Sequence, residues 1–363
     1  MLNINHLPIG RWAAIAVAVA GLSWSGAASA QNAYVTDYQF NSVKVINTNT
    51  NTVTATIAVG TGPYGSAASP NGARTYVSNQ NTNNVSVIDT ATNTVVSTIP
   101  VGSTPRGVAV SPDSSRAYVT NIGAGSVSVI NTTTNTVVAT IIVGSNPLSV
   151  ALNPAGTRAY VTNEGSNSVS IIDTATNTVI GTIGVGSQPF GVAVNPAGTR
   201  LYVANQAGNS VSVIDTTSNA VITTLAVGSG PRHVAISPDG SRGVVSNTFN
   251  DNVTVFDTAT NTAITNIATG QRPWNVAFTP NGARVYVTNV NDGTVTVINA
   301  ATNADIATIA VGGNPYGAGL FIGPAPVAGP VPVPTLSEWA MILMGLTLAG
   351  GAAILIQRRH MTV

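Results

Sequence analysis

An all-β fold, a seven-bladed β-propeller of four-stranded antiparallel blades, is predicted by three observations. Tyrosines recur every 42 positions, each interval holds four short strand-like segments, and the intervals follow one another without insertion. The tyrosines are Tyr34, Tyr76, Tyr118, Tyr160, Tyr202 and Tyr286, with Val244 in the missing place. Around each runs one template. It reads Tyr-Val-Thr-Asn, a polar loop, Val-Ser-Val-Ile-Asp, Thr-Ala-Thr-Asn-Thr, a Val/Thr/Ile run, Val-Gly-Ser, Pro-x-Gly-Val-Ala-Val and a Ser-Pro-Asp-Gly turn. Seven copies fit, and a fixed internal period is the signature of repeat architectures.

Val, Ile, Thr and Tyr fill the four segments, while Gly, Pro, Asn and Asp separate them, so every boundary carries turn chemistry. A stacked solenoid is the competing architecture, but its coils are usually shorter and its ends need caps that the repeats lack. Within a blade, Gly-Val-Ala-Val has the smallest side chains and suits the crowded innermost place. The run 95–101 contains Pro100, which cannot donate to a ladder and belongs on an edge. That run is therefore outermost. The repeats start at Ala33 on a second strand, and the last innermost-type strand is 317–321. The C-terminal strand is thus expected to join the N-terminal blade and close the ring, which removes a free edge.

Residues that repeat in every blade read as scaffold. Arg74, Arg116, Arg158, Arg200, Arg242 and Arg284 share one template position. Asp89, Asp173, Asp215 and Asp257 end the third strand, and Asn47, Asn131 and Asn299 take the equivalent places. Asp and Asn exchange freely there because an Asx turn needs the side-chain oxygen, not the charge.

Tyr-Val-Thr-Asn, together with Ser-Pro-Asp-Gly, resembles the YVTN family of surface β-propellers over residues 33 to about 321. The resemblance implies the fold and a place outside the cytoplasm, with no agreed catalytic activity. The ends bear on the same point. Residues 1–30 read as a signal peptide, with Arg11 as the positive flank, an apolar run from Ala13 to Leu22, and Ala28-Ser29-Ala30 before the cut. The propeller is expected over 31–323, and a Pro-rich linker over 324–334. A C-terminal sorting signal with a transmembrane helix is expected over 335–363. The seventeen apolar residues 340–356 would span about 25 Å as a helix, and Arg358 and Arg359 suit its cytoplasmic end.

Val333-Pro334-Thr335-Leu336-Ser337-Glu338-Trp339-Ala340, that helix and the two arginines resemble the IPTL-type sorting signal of Gram-negative bacteria. Its usual pattern begins with Ile and has Gly after the Trp, where this chain has Val333 and Ala340. The resemblance implies a sorting protease of exosortase type as a partner, and an inner membrane held transiently through the helix. The localisation it implies is the periplasm or the cell surface. An ordinary single-span anchor is the alternative reading of the same segment.

Composition excludes several function classes. Charged residues are 7% of the chain and the net charge is +1, against the basic face of a nucleic-acid binder. Cysteine is absent, so disulfides, thiolate metal sites and cysteine nucleophiles are out of reach. Between signal and tail stand one histidine, His233, and one glutamate, Glu164. A histidine-ligated metal centre and a two-glutamate glycosidase pair both need more. No cofactor is expected. Calcium binding by the Asp- and Asn-rich loops stays open, although no single loop carries the carboxylates that define a calcium site.

With the template held constant, variation falls in the loop after Tyr-Val-Thr-Asn and in the x of Pro-x-Gly, which share one face. The x residues are Tyr64, Arg106, Leu148, Phe190, Arg232, Trp274 and Tyr316. They are expected to ring the mouth of the central channel. His233 and Asn275 replace small residues beside them, and Arg272 precedes Pro273. The variable loops add Tyr38, Phe40, Glu164, Phe249, Asp251 and Asp292. Aromatic rings supply contact area at low entropic cost, and arginine supplies bidentate bonds to carboxylate or phosphate. The expected function is therefore a non-catalytic binding or scaffold module for a surface polysaccharide or protein ligand. Its expected site comprises Tyr64, Arg106, Phe190, Arg232, His233, Arg272, Trp274 and Tyr316. The alternatives are side chains that merely plug the channel, a structural coat or matrix protein, and a weak hydrolase with His233 oriented by Asp251 as general base.

Overall fold

The computed structural model describes residues 31–317 and 322–323. The expected signal peptide, the linker, the sorting tail with its transmembrane helix, and most of the run 317–321 lie outside the described residues. Among the described residues 27 strands form seven antiparallel sheets arranged as a propeller, and the only helical turns are two 3-10 turns, Ile122–Ala124 and Glu164–Ser166.

Six sheets have four strands in chain order. In the second blade these are Pro63–Ala68, Arg74–Asn79, Asn84–Asp89 and Thr94–Pro100. The first strands of the blades pack against one another around the axis. The fourth strands face outward, and in Thr94–Pro100 only Ile99 is buried. Pro100 sits on the outer strand, as its missing N–H requires. Core clusters lie between blades: Ala67, Tyr76 and Val85 of one pack with Val108, Ala117 and Ile130 of the next.

The first blade, Asn32–Asp37, Ser42–Asn47 and Thr52–Ala58, has three strands of its own. The missing place is the innermost one, beside Asn32–Asp37, and residues from the far end of the propeller occupy it. Bridges join Asp37 to Pro315 and Ala33 to Ile322. Tyr38 N donates to Asn314 O at 3.1 Å and Tyr316 N to Thr36 O at 3.2 Å. The ring is therefore closed by the two ends of the propeller sharing one blade.

The repeated polar residues act as scaffold. Asp89 Oδ1 accepts from Ala91 N and Thr92 N at 2.9 and 3.0 Å, and Asn47 Oδ1 does the same for Asn49 and Thr50. The template arginines tie strands and blades together. Arg74 and Arg200 pair with Asp89 and Asp215 in their own blades, while Arg158 and Arg242 donate to the carbonyls of Thr216 and Ala300 in the next. The Asn of Tyr-Val-Thr-Asn explains the Gly of Val-Gly-Ser. Asn79 Nδ2 reaches Ser86 Oγ at 2.9 Å, and a Cβ on Gly60 would stand 2.6 Å from the Asn79 amide carbon.

The Thr before that Asn is a clasp between blades. Thr120 Oγ1 accepts from Gly107 N in its own blade and donates to the Leu148 carbonyl of the next at 2.9 Å. Thr36, Thr162, Ser246 and Thr288 donate likewise to the carbonyls of Tyr64, Phe190, Trp274 and Tyr316. In the fifth blade the position is Ala204, fully buried, and no hydroxyl is offered to Gly191 N or the Arg232 carbonyl. Restoring it with Ala204→Thr is expected to stabilise the fold by about 1 kcal/mol. The urea midpoint should rise with the slope unchanged; an unchanged or lower midpoint would show that the clasp contributes nothing there.

The sixth blade shows a compensated exchange. Phe256 stands where other blades carry Ile, and Gly243 lies opposite it. A Cβ on Gly243 would lie 1.9 Å from Phe256 Cζ. Gly243→Ala is therefore expected to cost about 1–3 kcal/mol through overpacking. Adding Phe256→Ile, which restores the pair Ala117 and Ile130 make in the third blade, should recover most of it. Two additive losses in a double-mutant cycle would refute the coupling.

Candidate ligand-binding site at the channel mouth

Each x residue is placed by local backbone chemistry. In the second to seventh blades the residue before the Pro is left-handed, with φ 55° at Thr104, 53° at Gln188 and 58° at Arg272. At Gly62, Thr104, Gln188, Gly230 and Arg272 its N–H is held by a side chain from the preceding blade's loop. Asn83 Oδ1 takes Thr104 N and Asn167 Oδ1 takes Gln188 N, both at 2.8 Å. The two variable elements of the sequence are thus joined on one face, and the clasping hydroxyls hold the x carbonyls other than that of Arg232.

The x side chains converge on the axis. Tyr64, Leu148, Phe190 and Trp274 are buried in one cluster with Val290, and Ile122 and Tyr316 pack against it. Tyr64 stacks on Tyr316 with ring centres 4.9 Å apart, and Trp274 meets Tyr316 edge-on at 4.8 Å. Phe190 meets Trp274 edge-on at 5.6 Å, and Tyr38 meets Tyr316 at 5.5 Å. The apolar members plug the channel mouth, and the half-buried arginines lie over the plug. Arg106 Cζ is 4.1 Å from the Tyr64 ring centre; Arg232 Cζ is 4.0 Å from Trp274 and 4.5 Å from Phe190. Arg272 Cζ is 5.7 Å from Trp274.

Around this plug Phe40 and Phe249 stand exposed on the rim, each 62% accessible. Glu164 is half-buried and acts on Arg232 through its charge. Asp251 and Asp292 are exposed, yet their carboxylates are engaged by backbone. Asp251 Oδ1 accepts from Arg272 N at 2.7 Å, and Asp292 Oδ2 from Gln271 N at 2.6 Å.

Burial dominates the electrostatics. It raises the pKa of Tyr64 against the opposing charges of Arg106 and Arg232. It pulls Arg232 down to about 10, with Arg272 adding like-charge repulsion, so Arg232 stays charged at neutral pH. His233, packed edge-on against Phe190 at 5.4 Å, is pushed down to about 3 by burial and then by Arg232. It is therefore neutral. The structure does not assemble His233 and Asp251 into a dyad: no hydrogen bond joins them, and Asp251 serves the Arg272 backbone in the role Asn has elsewhere. Asn275 is buried beside the plug. Among the described residues no group of three or more His, Cys, Asp or Glu gathers to hold a metal ion.

Sequence reasoning missed Ile122 and Val290 as members of the plug. Both follow the template Asn, where Gln80, Glu164 and Gln206 are polar, so their apolar character was a visible signal.

Fold and tail define the class, a seven-bladed β-propeller carrying a C-terminal IPTL-CTERM sorting motif, the latter matched at residues 331–360. Residues 54–156 match the YNCE-like beta-propeller model, and residues 216–304 match the lactonase, 7-bladed beta-propeller model. No curated protein matches the chain. Among solved structures it is similar to hydrazine synthase of Kuenenia stuttgartiensis, with 23% identity, a TM-score of 0.67, and 73% of this chain and 90% of that one covered. A functionally unknown protein from Desulfotomaculum acetoxidans matches with 17% identity and a TM-score of 0.71, over 80% of this chain and 98% of that one. The dihydro-heme d1 dehydrogenase NirN, in complex with DHE, matches with 14% identity and a TM-score of 0.59, over 79% and 73% of the two chains. At these identities the likeness is one of fold. A propeller with this motif points to an exported, cell-surface protein, and the motif is consistent with an exosortase-type sorting system.

Proposed function

We propose that the protein is a surface binding module that engages its ligand through the channel-mouth face. The observation that carries this reading is the convergence of the template-breaking residues. Blade positions that differ from copy to copy gather at one end of the axis, while the rest of each blade serves the scaffold. Phe40 and Phe249 extend this face as exposed aromatic platforms. The test is a glycan and peptidoglycan-fragment array probed with residues 31–323. Phe40→Ala with Phe249→Ala, both at exposed sites, should lose the ligand that the parent retains. An unchanged array profile would sink the reading.

A structural coat is favoured by a different observation. The outer strands repeat exposed aliphatic pairs, Val95 with Val96, Val137 with Val138, and Val221 with Ile222. Exposed apolar edge strands are templates for association. Ordered self-assembly at low micromolar concentration in sedimentation velocity would support that role. The match to a lactonase model motivates an assay for ester hydrolysis, in which the buried His233, its pKa lowered to about 3, is a weak base.

A further inference from the structure

The three arginines of the mouth have no acid partner. The ion pairs among the described residues are Arg74–Asp89 and Arg200–Asp215, both at the ends of strands distant from this cluster. Arg106, Arg232 and Arg272 instead lie over aromatic rings. They gather on one aromatic group: Arg232 and Arg272 share the Trp274 ring, and Arg106 lies on Tyr64, with Tyr316 packed against both rings. The acids that could neutralise them are occupied by backbone N–H groups, as Asp251 and Asp292 are, or act only at longer range, as Glu164 does.

Donors are left over as well. Arg106 Nε, Arg232 Nε and Trp274 Nε1 are buried without a hydrogen-bond partner, and Trp274 as a whole is 5% exposed. A buried, unpaired donor costs about 1–3 kcal/mol, and more when it is charged. Converging like charges in a desolvated place add to that cost. A guanidinium stacked on a ring keeps its edge free, and that edge matches a carboxylate in a bidentate fork. The platforms at the rim, Phe40 and Phe249, offer flat apolar faces to the rings that carry such a group.

Resting on the binding reading above, we infer that the channel mouth takes the carboxylate of an acidic saccharide, seated between Arg106, Arg232 and Arg272 over Trp274, with neighbouring sugar rings on Phe40 and Phe249. A carboxylate bound there would satisfy the orphaned donors and neutralise the cluster in one step. Phosphate shares part of this chemistry, and the test separates it.

Residues 31–323 contain the closed ring, and Trp274 is their sole tryptophan, since Trp12, Trp24 and Trp339 lie outside. Its fluorescence therefore reports this place alone. Oligogalacturonate, its methyl ester and inorganic phosphate are titrated in turn. The acid is expected to change Trp274 emission and to bind at least about tenfold more tightly than the ester, the loss of about 1.4 kcal/mol in one charge-assisted contact. Binding should weaken as salt rises. Arg106→Gln and Arg272→Gln should each erase the preference, and Arg272→Lys should restore part of it, with thermal melts confirming that the variants are folded. Equal binding of acid and ester would overturn the carboxylate inference and leave the binding module standing. Phosphate binding as tightly as the acid would overturn the saccharide. Silence in every titration, with a blank array, would overturn both readings.

Discussion

A chain ended at Gly313 is expected to lose cooperative folding, while one ended at Gly323 should melt like the full-length protein. The difference is ten residues that include Pro315 and Ile322, which bridge to the inner side of the first blade. Removing them exposes the ladder of Asn32–Asp37, including the bonds of Tyr38 N to Asn314 O and Tyr316 N to Thr36 O. It also removes Ile322, which is 7% exposed in the core cluster with Ala33 and Val35, and Tyr316, which stacks in the plug. At about 1 kcal/mol per hydrogen bond and about 1.5–3 kcal/mol per buried large aliphatic, the loss is on the order of 5 kcal/mol. A whole domain is stable by about 5–15 kcal/mol, so the shorter chain stands near its unfolding threshold. It also gains an open edge that invites aggregation. Circular dichroism melts with sedimentation velocity decide the matter. A sharp, monomeric transition within a few degrees of the longer chain would show that closure is not what locks the ring.

Acid is expected to unfold the protein earlier than its carboxylates require, because of His233. The folded side chain has a pKa of about 3 against an ordinary 6.5, lowered mainly by burial against Phe190 and secondarily by Arg232. The neutral form is the one the fold accepts. Its contribution is fully present above pH 6.5 and is lost as the pH falls toward 3, where the unfolded chain takes the proton. The linkage limit is about 5 kcal/mol, reduced in practice by relaxation of the site. Carboxylates such as Asp113, held at about 2 by Ser111 and Ser115, lose their share only at lower pH. His233→Ser, the residue type found at Ser149 in the fourth blade, should flatten unfolding free energy between pH 6.5 and 4 and leave the steeper fall below. Parallel curves for parent and variant would mean that His233 is not held neutral by the fold.

Much of the architecture was legible because the repeat is its own alignment. Seven copies of one template expose the four strands, the turn at each boundary and the outer place of Pro100. They also show that Asp89 and Asn47 are interchangeable. The joining of the two ends followed from the repeat starting on a second strand. The site was half legible. Variation located the x residues and the loops beside them, but it could not say which way their side chains point. Phe190 and Trp274 are largely withdrawn into a plug, and the accessible aromatic surface is Phe40 and Phe249. The pairing imagined for His233 and Asp251 failed for a reason internal to the template. Asp251 occupies the Asn position that holds the next blade's entry, with φ 51° and its oxygen on Arg272 N.

Period, strand content, turn chemistry and the sorting motif are local properties, written in residues close along the chain, and for that reason the amino-acid order settles them. Contacts between blades bring together residues about 21 or more positions apart, such as Asn83 with Thr104 N, Thr162 with the Phe190 carbonyl, or Tyr38 with Asn314 across the whole ring. Burial follows from those contacts and depends on how seven side chains share one axis. The neutral His233, the unpaired arginines over Trp274, and the buried Ala204 that leaves one clasp unmade emerge there, because desolvation and the absence of a partner exist only once distant residues are packed.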